Sequence, residues 1–290
     1  MKERTDKRDF LTLAASISGF KVEWLDGVRP DDLNPKAMPD GLDPSRVKPT
    51  VVACWRAHMN ALVNVISNDY STALVLEDDA DWDLSLKSQL GEFARGLHAL
   101  KGTNHKLLTE QTGISSGSAD FQGSTTEPPG VDPPKSGSNN MAEDSTRFIY
   151  RAEMGCCMFG YAVTTRGARN ILSALSIDHL DKPVDDALSE LCAGANGRHK
   201  IECWAPFPNL IGTYRKAGSA SRDSDIENNN AADFHEEQAW NMVYSTRRNI
   251  HQLVAAEEAV YSQWKDEDVP WSSRTIERKE FVYPGGYLVN

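Results

Sequence analysis

The sequence predicts an α/β fold, and three observations predict it. Val52, Trp55, Met59, Leu62, Val63 and Ile66 recur at helical spacing and mark an amphipathic helix over residues 52–67. The run Ala73-Leu74-Val75-Leu76 follows at once and reads as a buried strand. Helical and β patterns then alternate again, with a helix at 86–100, β-formers over 148–165 and a helix from 166 to about 175.

Taken in order, residues 7–18 form a first short helix, with Phe10, Leu11, Leu13, Ala14 and Ile17 on one side and Gly19 as its stop. Lys21-Val22-Glu23-Trp24-Leu25 alternates like a strand and ends at Asp26-Gly27. Residues 29–49 are rich in Pro and Asp and read as loop. Beyond the acidic strand, Leu90, Phe93, Leu97 and Leu100 give the helix at 86–100 its apolar positions. Gly, Ser, Thr, Pro and Asn dominate residues 113–145, where Phe121 is the only aromatic, so this stretch is expected to be a disordered surface insertion. The strand material on either side is expected to complete one sheet, making residues 1–230 a single domain. The β-rich stretch 148–165 breaks at Glu153-Met154-Gly155, which predicts two strands, and Thr165 is the expected cap of the helix that follows. A short helix is expected at 184–191, a strand within 200–211, and helix over 234–264 in a C-terminal helical tail of residues 231–290.

The chain has 290 residues, 40% hydrophobic and 25% charged, enough to bury a sizeable core. Its net charge of -11 argues against nucleic acid as a partner, because phosphate binding needs a basic footprint. No stretch approaches the roughly 20 apolar residues of a membrane span. The five cysteines, Cys54, Cys156, Cys157, Cys192 and Cys203, are odd in number and lack paired CxxC spacing, so buried thiols are expected. Cys156 and Cys157 would point to opposite faces of a strand.

The most informative stretch is the end of the acidic strand. Glu77, Asp78, Asp79, Asp81 and Asp83 place five carboxylates within seven positions, directly after a buried β-run. Such a concentration of charge is unfavourable unless a cation sits there, and carboxylate oxygens suit a hard divalent metal. The carboxyl end of a strand is also where α/β sheets bind ligands. On an extended chain Glu77 and Asp79 share one face and are the expected metal ligands, while Asp78 points the other way. Asp81 and Asp83 either continue the Glu77 face or are solvated.

An ordered series of segments resembles glycosyltransferase family 25, the group of lipooligosaccharide and collagen galactosyltransferases, and its fungal branch most of all. Arg4-Thr5-Asp6-Lys7-Arg8 resembles that family's RxDR element, and Val22 through Gly27 its strand ending in Asp-Gly. Trp55-Arg56-Ala57-His58 precedes the acidic strand as the family's helix does. Tyr161-Ala162-Val163-Thr164-Thr165-Arg166-Gly167-Ala168, Pro183-Val184-Asp185 and Asp223-Ser224-Asp225-Ile226 resemble later family elements. Family members carry a further strand before the RxDR element, so the chain reads as truncated at its N-terminus. The strand that the family places after the helix near Leu100 is reduced here to His105-Lys106-Leu107-Leu108, and Ile211-Gly212-Thr213-Tyr214-Arg215 replaces a Gln-His-His stretch.

The resemblance implies a GT-A-like, Rossmann-type nucleotide-sugar-binding fold. It implies inverting transfer of a hexose, commonly galactose, from a UDP-sugar, with a divalent metal such as Mn²⁺ and a glycan or glycoprotein acceptor. By position in the motifs, Asp185 becomes the expected base, with Asp186 beside it; Asp185 is equally suited to cap its helix. Arg4 and Arg8 would approach the donor diphosphate, Asp78 the donor ribose, Asp26 the base or ribose, and Ser224 and Asp225 would close over the donor. Arg4 and Arg8 could equally be surface charges, and Asp26 a turn residue. His58 reads as a hydrogen-bonded core histidine or as a ligand. Trp204, Phe207 and Tyr214 are either a sugar platform or core. A catalytically inactive sugar-binding or interaction module is the rival reading, and a metal-dependent phosphoesterase a third. A lost N-terminal anchor would allow a secretory-lumen location.

Overall fold

The computed structural model describes residues 1–43, 46–102, 148–153, 155, 157–207, 209–226, 230–239, 244–257, 259–260 and 274–275. The expected insertion at 113–145 and the His105–Leu108 stretch lie outside the described residues. The chain divides into two compact units. One comprises Met1–Ala80, Ala152–Cys203 and Thr213–Gln238; the other comprises Asp81–Arg151, Trp204–Gly212 and Ala239–Asn290. Helices and antiparallel sheets are mixed, with no closed barrel among the described residues, so the α/β class holds at that level.

The first unit begins with α1 (Thr5–Ser18), which buries Leu11, Ala14 and Ala15. Gly19 ends it at φ 73°, in the left-handed region that a residue with a Cβ rarely enters. Val22 and Trp24 are partly buried while Lys21, Glu23 and Leu25 are exposed, as alternation requires, but no strand forms at 21–25. The side-chain pattern is there; among the described residues no strand pairs with it. Two 3₁₀ turns, Pro30–Asp32 and Pro35–Ala37, occupy the expected loop. Next comes α2 (Pro49–Ser67), opened by Pro49 at its first turn, where the missing N–H costs nothing. Its buried side carries Val52, Trp55, Met59, Leu62 and Val65, and Trp55 Nε1 donates to Leu175 O at 2.9 Å.

Strand β1 (Thr72–Leu76) follows, as its apolar run predicts, but it is not the buried strand expected: Thr72 is exposed and Ala73, Leu74, Val75 and Leu76 are only partly buried. The short strand β2 (Ala80–Trp82) comes next. In the second unit α3 (Leu86–Gly102) precedes β3 (Phe148–Arg151). The first unit resumes with β4 (Gly160–Thr164), antiparallel to β1 in the register Val75↔Tyr161 and Leu76↔Gly160. Helix α4 (Thr165–Leu172) continues into a π-helical turn, Ser173–Asp178. Its cap is Thr164, whose hydroxyl accepts from Gly167 N, rather than Thr165, which donates instead to Tyr70 O at 2.5 Å. Helix α5 (Val184–Ala193) ends at Gly194, φ 70°, where a Cβ would meet Lys200 Cβ at 2.9 Å.

Val47, Val52, Trp55, Met59, Leu62 and Val65 pack with Val163, Ala168, Ile171, Leu175, Val184, Ala187 and Leu191 in one core. The helix–strand–helix patterns of the sequence converge on it. Cys192 and Cys203 form a disulfide with Cα atoms 5.5 Å apart, correcting the expectation of buried thiols alone. Nothing in their spacing announced it, because the pairing is set by the turn after α5. Cys157 has φ 63° and lies on no strand; Cys156 is outside the described residues.

In the second unit β3 pairs antiparallel with β5 (Trp204–Phe207), in the register Ile149↔Pro206 and Arg151↔Trp204. The two strands expected in 148–165 are therefore present but join different ladders. Strand β6 (Ile211–Arg215) lies between β2 and β9 (Gln238–Ala239) in a three-stranded sheet. Strands β7 (Gly218–Ser219) and β8 (Phe234–His235) pair in the first unit. The stretch expected to be helical from 234 thus carries short strands, and its one described helix is α6 (Ile250–Val254). Polar composition without a sustained apolar stripe left that stretch free to take its structure from tertiary neighbours. Strands β10 (Ala259–Val260) and β11 (Arg274–Thr275) pair antiparallel.

Candidate functional site

The first unit gathers charged and metal-ligating groups around the end of β1. The chain does not stay extended there. Glu77 N donates to Phe159 O at 3.0 Å, and Ala80 N donates to Glu77 O at 3.1 Å, which closes a turn over 77–80. The two-residue alternation that would have put Glu77 and Asp79 on a common face is therefore absent, and each acid finds its own surroundings.

Asp78 turns to cations. Its Oδ1 accepts from Lys7 Nζ at 2.9 Å, and its Oδ2 lies 3.4 Å from the Met1 amine. Lys7 Nζ also reaches Asp225 Oδ2 at 3.2 Å, with its side chain only 10% exposed. Burial works against the Lys7 charge, but the carboxylates of Asp78, Asp79 and Asp225 outweigh it and hold the ammonium above its ordinary range. Asp78 shows the mirror image: desolvation opposes its charge, and Lys7 together with the amine prevails and lowers it. The cation that the acidic run demands is thus partly supplied by a lysine of α1.

Asp79 is the outlier. Its Oδ1 is buried with no hydrogen-bond partner among the described residues. Burial pushes its carboxyl up to about 6; Lys7 opposes this, and the Glu77 and Asp78 charges add to it. Its hydrogen bonds among the described residues are made by the backbone, the carbonyl accepting from Tyr214 N and Thr213 Oγ1, both at 3.2 Å. A buried carboxylate oxygen without a donor is costly unless a proton or a cation meets it.

Glu77 takes a third course. Its Oε1 lies 3.2 Å from His58 Nε2, and His58 Nδ1 lies 3.3 Å from the Tyr161 hydroxyl. His58 is buried and hydrogen-bonded at both nitrogens, the core-histidine arrangement. Cys54, one turn before it on α2, holds its thiol against the same group, and burial, then the charges of Glu77, Asp185, Asp79 and Asp78, push that thiol up to about 12. Asp185 therefore shares the electrostatic neighbourhood of the strand-end acids. It lies in the first turn of α5, where its Oδ2 accepts from Cys157 N at 3.1 Å. The helix cap itself is Pro183, with no side-chain capping bond, so Asp185 is not the cap. Asp186 is exposed, its carboxyl raised by burial and by Asp185.

The remaining expected donor contacts are paired with one another. Arg4 Nη1 meets Asp225 Oδ1 at 2.6 Å, and Arg4 Nη2 donates to Arg222 O at 2.8 Å. Arg8 meets Asp26 at 2.9 Å and lies 4.8 Å over the Trp24 ring. Ser224 Oγ accepts from Ile226 N at 3.1 Å. Asp223, which the sequence offered only as the first residue of the late motif and without a role, accepts from His235 Nε2 at 2.8 Å and lies 3.6 Å from Arg215. Tyr214 packs against Phe10, ring centroids 5.3 Å apart, so packing accounts for it. Trp204 lies under Arg151 in the second unit, and the Phe207 side chain is outside the described residues.

Asp81 and Asp83 belong to the second unit and are neither metal-facing nor solvated. Both are buried, at 0% and 1% exposure. Asp81 accepts from Ser245 Oγ, from Arg247 N at 3.0 Å and from Trp82 N at 2.8 Å. Asp83 accepts from Gln89 Nε2, Ser85 N and Tyr244 N. The partners from 244–247 lie some 160 residues away along the chain, so the sequence could not announce them.

Sequence reasoning missed Lys7 and Cys54 as parts of the site. Lys7 was legible only as the fourth residue of Arg4-Thr5-Asp6-Lys7-Arg8. Cys54 and His58 were legible as an i, i+4 pair. Comparisons with protein-family models, with curated proteins and with solved structures found no match to this chain. No helix among the described residues is long and apolar enough to cross a membrane.

Proposed function

We propose that this chain is a glycosyltransferase of the family 25 type, transferring a hexose, galactose in the first instance, from a UDP-sugar to a glycan or glycoprotein acceptor with inversion. The observation that carries the reading is the buried oxygen of Asp79 after β1, which has no hydrogen-bond partner among the described residues and lies in the same electrostatic neighbourhood as Asp185. The ordered motifs between Arg4 and Ile226 support it, and the GT-A-like description of the fold is part of the same proposal.

The residues fit a divalent metal. Asp79 offers a buried oxygen with no hydrogen-bond partner among the described residues, and carboxylates are the donors that Mn²⁺ and Mg²⁺ take; the turn over 77–80 sends Glu77 to His58 instead. Such an ion, when bound, would supply Lewis-acid neutralisation of a leaving diphosphate. The rest is work for the chain. Asp185, anchored through one oxygen by Cys157 N, is held to accept the proton of an attacking hydroxyl. Lys7 and Arg4 bring positive charge beside the acids, and a diphosphate arriving there competes with Asp78 and Asp225 for them. The carboxylates also favour an oxocarbenium-like transition state.

The rival reading, an inactive sugar-binding module, draws on one observation: Arg4, Lys7, Arg8, Asp26, Asp78 and Asp225 are already joined in internal ion pairs. A secretory-lumen location belongs to the same proposal, since the Cys192–Cys203 disulfide suits an oxidising compartment.

Thermal unfolding with Mn²⁺ and UDP-galactose, alone and together, tests the site. Saturation at about 100 times Kd stabilises by about 2.7 kcal/mol, and Asp79→Ala abolishes the shift. UDP release in the presence of acceptor separates transfer from binding. A midpoint unmoved by the combination, with no UDP released, rejects the proposal.

A further inference from the structure

Cys54, His58 and Glu77 each offer one ligand atom, and the three atoms lie within 4.8 Å of one another. We propose that they form a binding site for a thiophilic transition metal, Zn²⁺ or Co²⁺, distinct in chemistry from the carboxylate site at Asp79 although it borrows Glu77.

The donor set argues for that class of ion. One sulfur, one imidazole nitrogen and one carboxylate oxygen suit zinc, whereas Mg²⁺ and Mn²⁺ favour oxygen alone. Three protein ligands also leave a fourth tetrahedral position for water or substrate, as in catalytic rather than structural zinc centres.

Local structure puts the atoms there for separate reasons. Cys54 and His58 are four residues apart on α2, one turn up the same face. Glu77 follows β1 directly, fixed by the bond from its N–H to Phe159 O. Around an ion with ligands at 2.0–2.3 Å, donor atoms stand about 3.5 Å apart, so the trio needs to close by about an ångström, within the reach of side-chain rotation. The His58 Nε2–Glu77 Oε1 separation, 3.2 Å, already lies in that range.

The second ring nitrogen is also provided for. His58 Nδ1 lies 3.3 Å from the Tyr161 hydroxyl, and Tyr161 is fixed in β4 opposite Val75. A hydroxyl both donates and accepts, so Tyr161 serves either tautomer. Without an ion, Nε2–H donates to Glu77. With an ion, Nδ1–H donates to Tyr161 and frees the Nε2 lone pair, the outer support that metal-bound histidines regularly have. Metal entry displaces one proton from the Cys54 sulfur and shifts the ring proton from Nε2 to Nδ1 while Tyr161 reorients. His58 is buried, and Cys54 and Glu77 are partly exposed, which leaves the ion a path in.

The test is Co²⁺ titration of the full chain without any nucleotide, followed by absorption spectroscopy and competition with Zn²⁺. One equivalent of Co²⁺ is expected to give a thiolate-to-cobalt charge-transfer band and intense tetrahedral ligand-field bands, both bleached by Zn²⁺. Cys54→Ser removes the charge-transfer band, and His58→Ala weakens binding at least tenfold. Asp79→Ala leaves both features intact, so failure of the sugar-donor reading and failure of this one are distinguishable. Tyr161→Phe weakens affinity while keeping the spectrum, an effect that loss of fold does not mimic. Absence of the charge-transfer band in the unaltered protein, or its persistence in Cys54→Ser, overturns the assignment.

Discussion

One run of acids serves two units in opposite ways. Asp81 and Asp83 are wholly buried, and their oxygens accept hydrogen bonds from backbone and side chains of the second unit. Glu77, Asp78 and Asp79, in the first unit, meet a histidine, a lysine and, for one Asp79 oxygen, no donor among the described residues. In sequence the two groups look alike. What separates them is how fully their hydrogen-bonding capacity is met: a saturated carboxylate is a structural tie, while one with capacity to spare is where a ligand gains most.

Removing the Asp81 carboxylate is the strongest way to probe that contrast. Asp81→Ala leaves the Arg247 and Trp82 N–H groups and the Ser245 hydroxyl without their acceptor, and a loss of about 2–4 kcal/mol is expected. Urea unfolding measures it; a loss under 1 kcal/mol would deny Asp81 its tying role. Lys7→Ala should cost about 1–3 kcal/mol, because Asp78 and Asp225 lose a nearly buried partner. The same variant should tighten Mn²⁺ binding by uncovering Asp78, and unchanged metal affinity would mean that Lys7 does not compete with the ion.

The smallest effect is on pH. Asp79 and Asp81 both titrate near 6 in the folded chain, raised from an ordinary 3.8 chiefly by burial. A carboxyl whose folded value is raised stabilises the fold fully below its unfolded value, and that contribution is lost as pH rises through about 6. Stability of the metal-free protein should therefore gain as pH falls from 7 toward 5. Asp81→Asn should flatten the slope contributed by the second unit, and Asp79→Asn that of the first. Saturating Mn²⁺ should flatten the Asp79 part alone, since an ion replaces the proton there. An unaltered slope in Asp79→Asn would remove that carboxyl from the account.

Much of the first unit was legible beforehand. The apolar stripe of α2, the β1 run, Gly19 as a stop and the short α5 all follow from local pattern, because side-chain periodicity and backbone preference act within a few residues. The strand expected at 21–25 finds no pairing strand among the described residues, although its burial alternation survived. The helical tail from 234 failed for want of an apolar stripe.

Sequence by itself determined that helices and strands alternate, that five carboxylates crowd into seven positions directly after an apolar strand, and that those carboxylates require compensation. Tertiary structure alone decided which compensation each one receives. Lys7 reaches Asp78 across 71 residues, and Ser245 reaches Asp81 across 164. Cys192 found Cys203 in the same manner. Local propensity encodes elements because its energies are short-ranged along the chain. Charge pairing and buried hydrogen bonds depend on distances in space, and these exist only once the elements have packed.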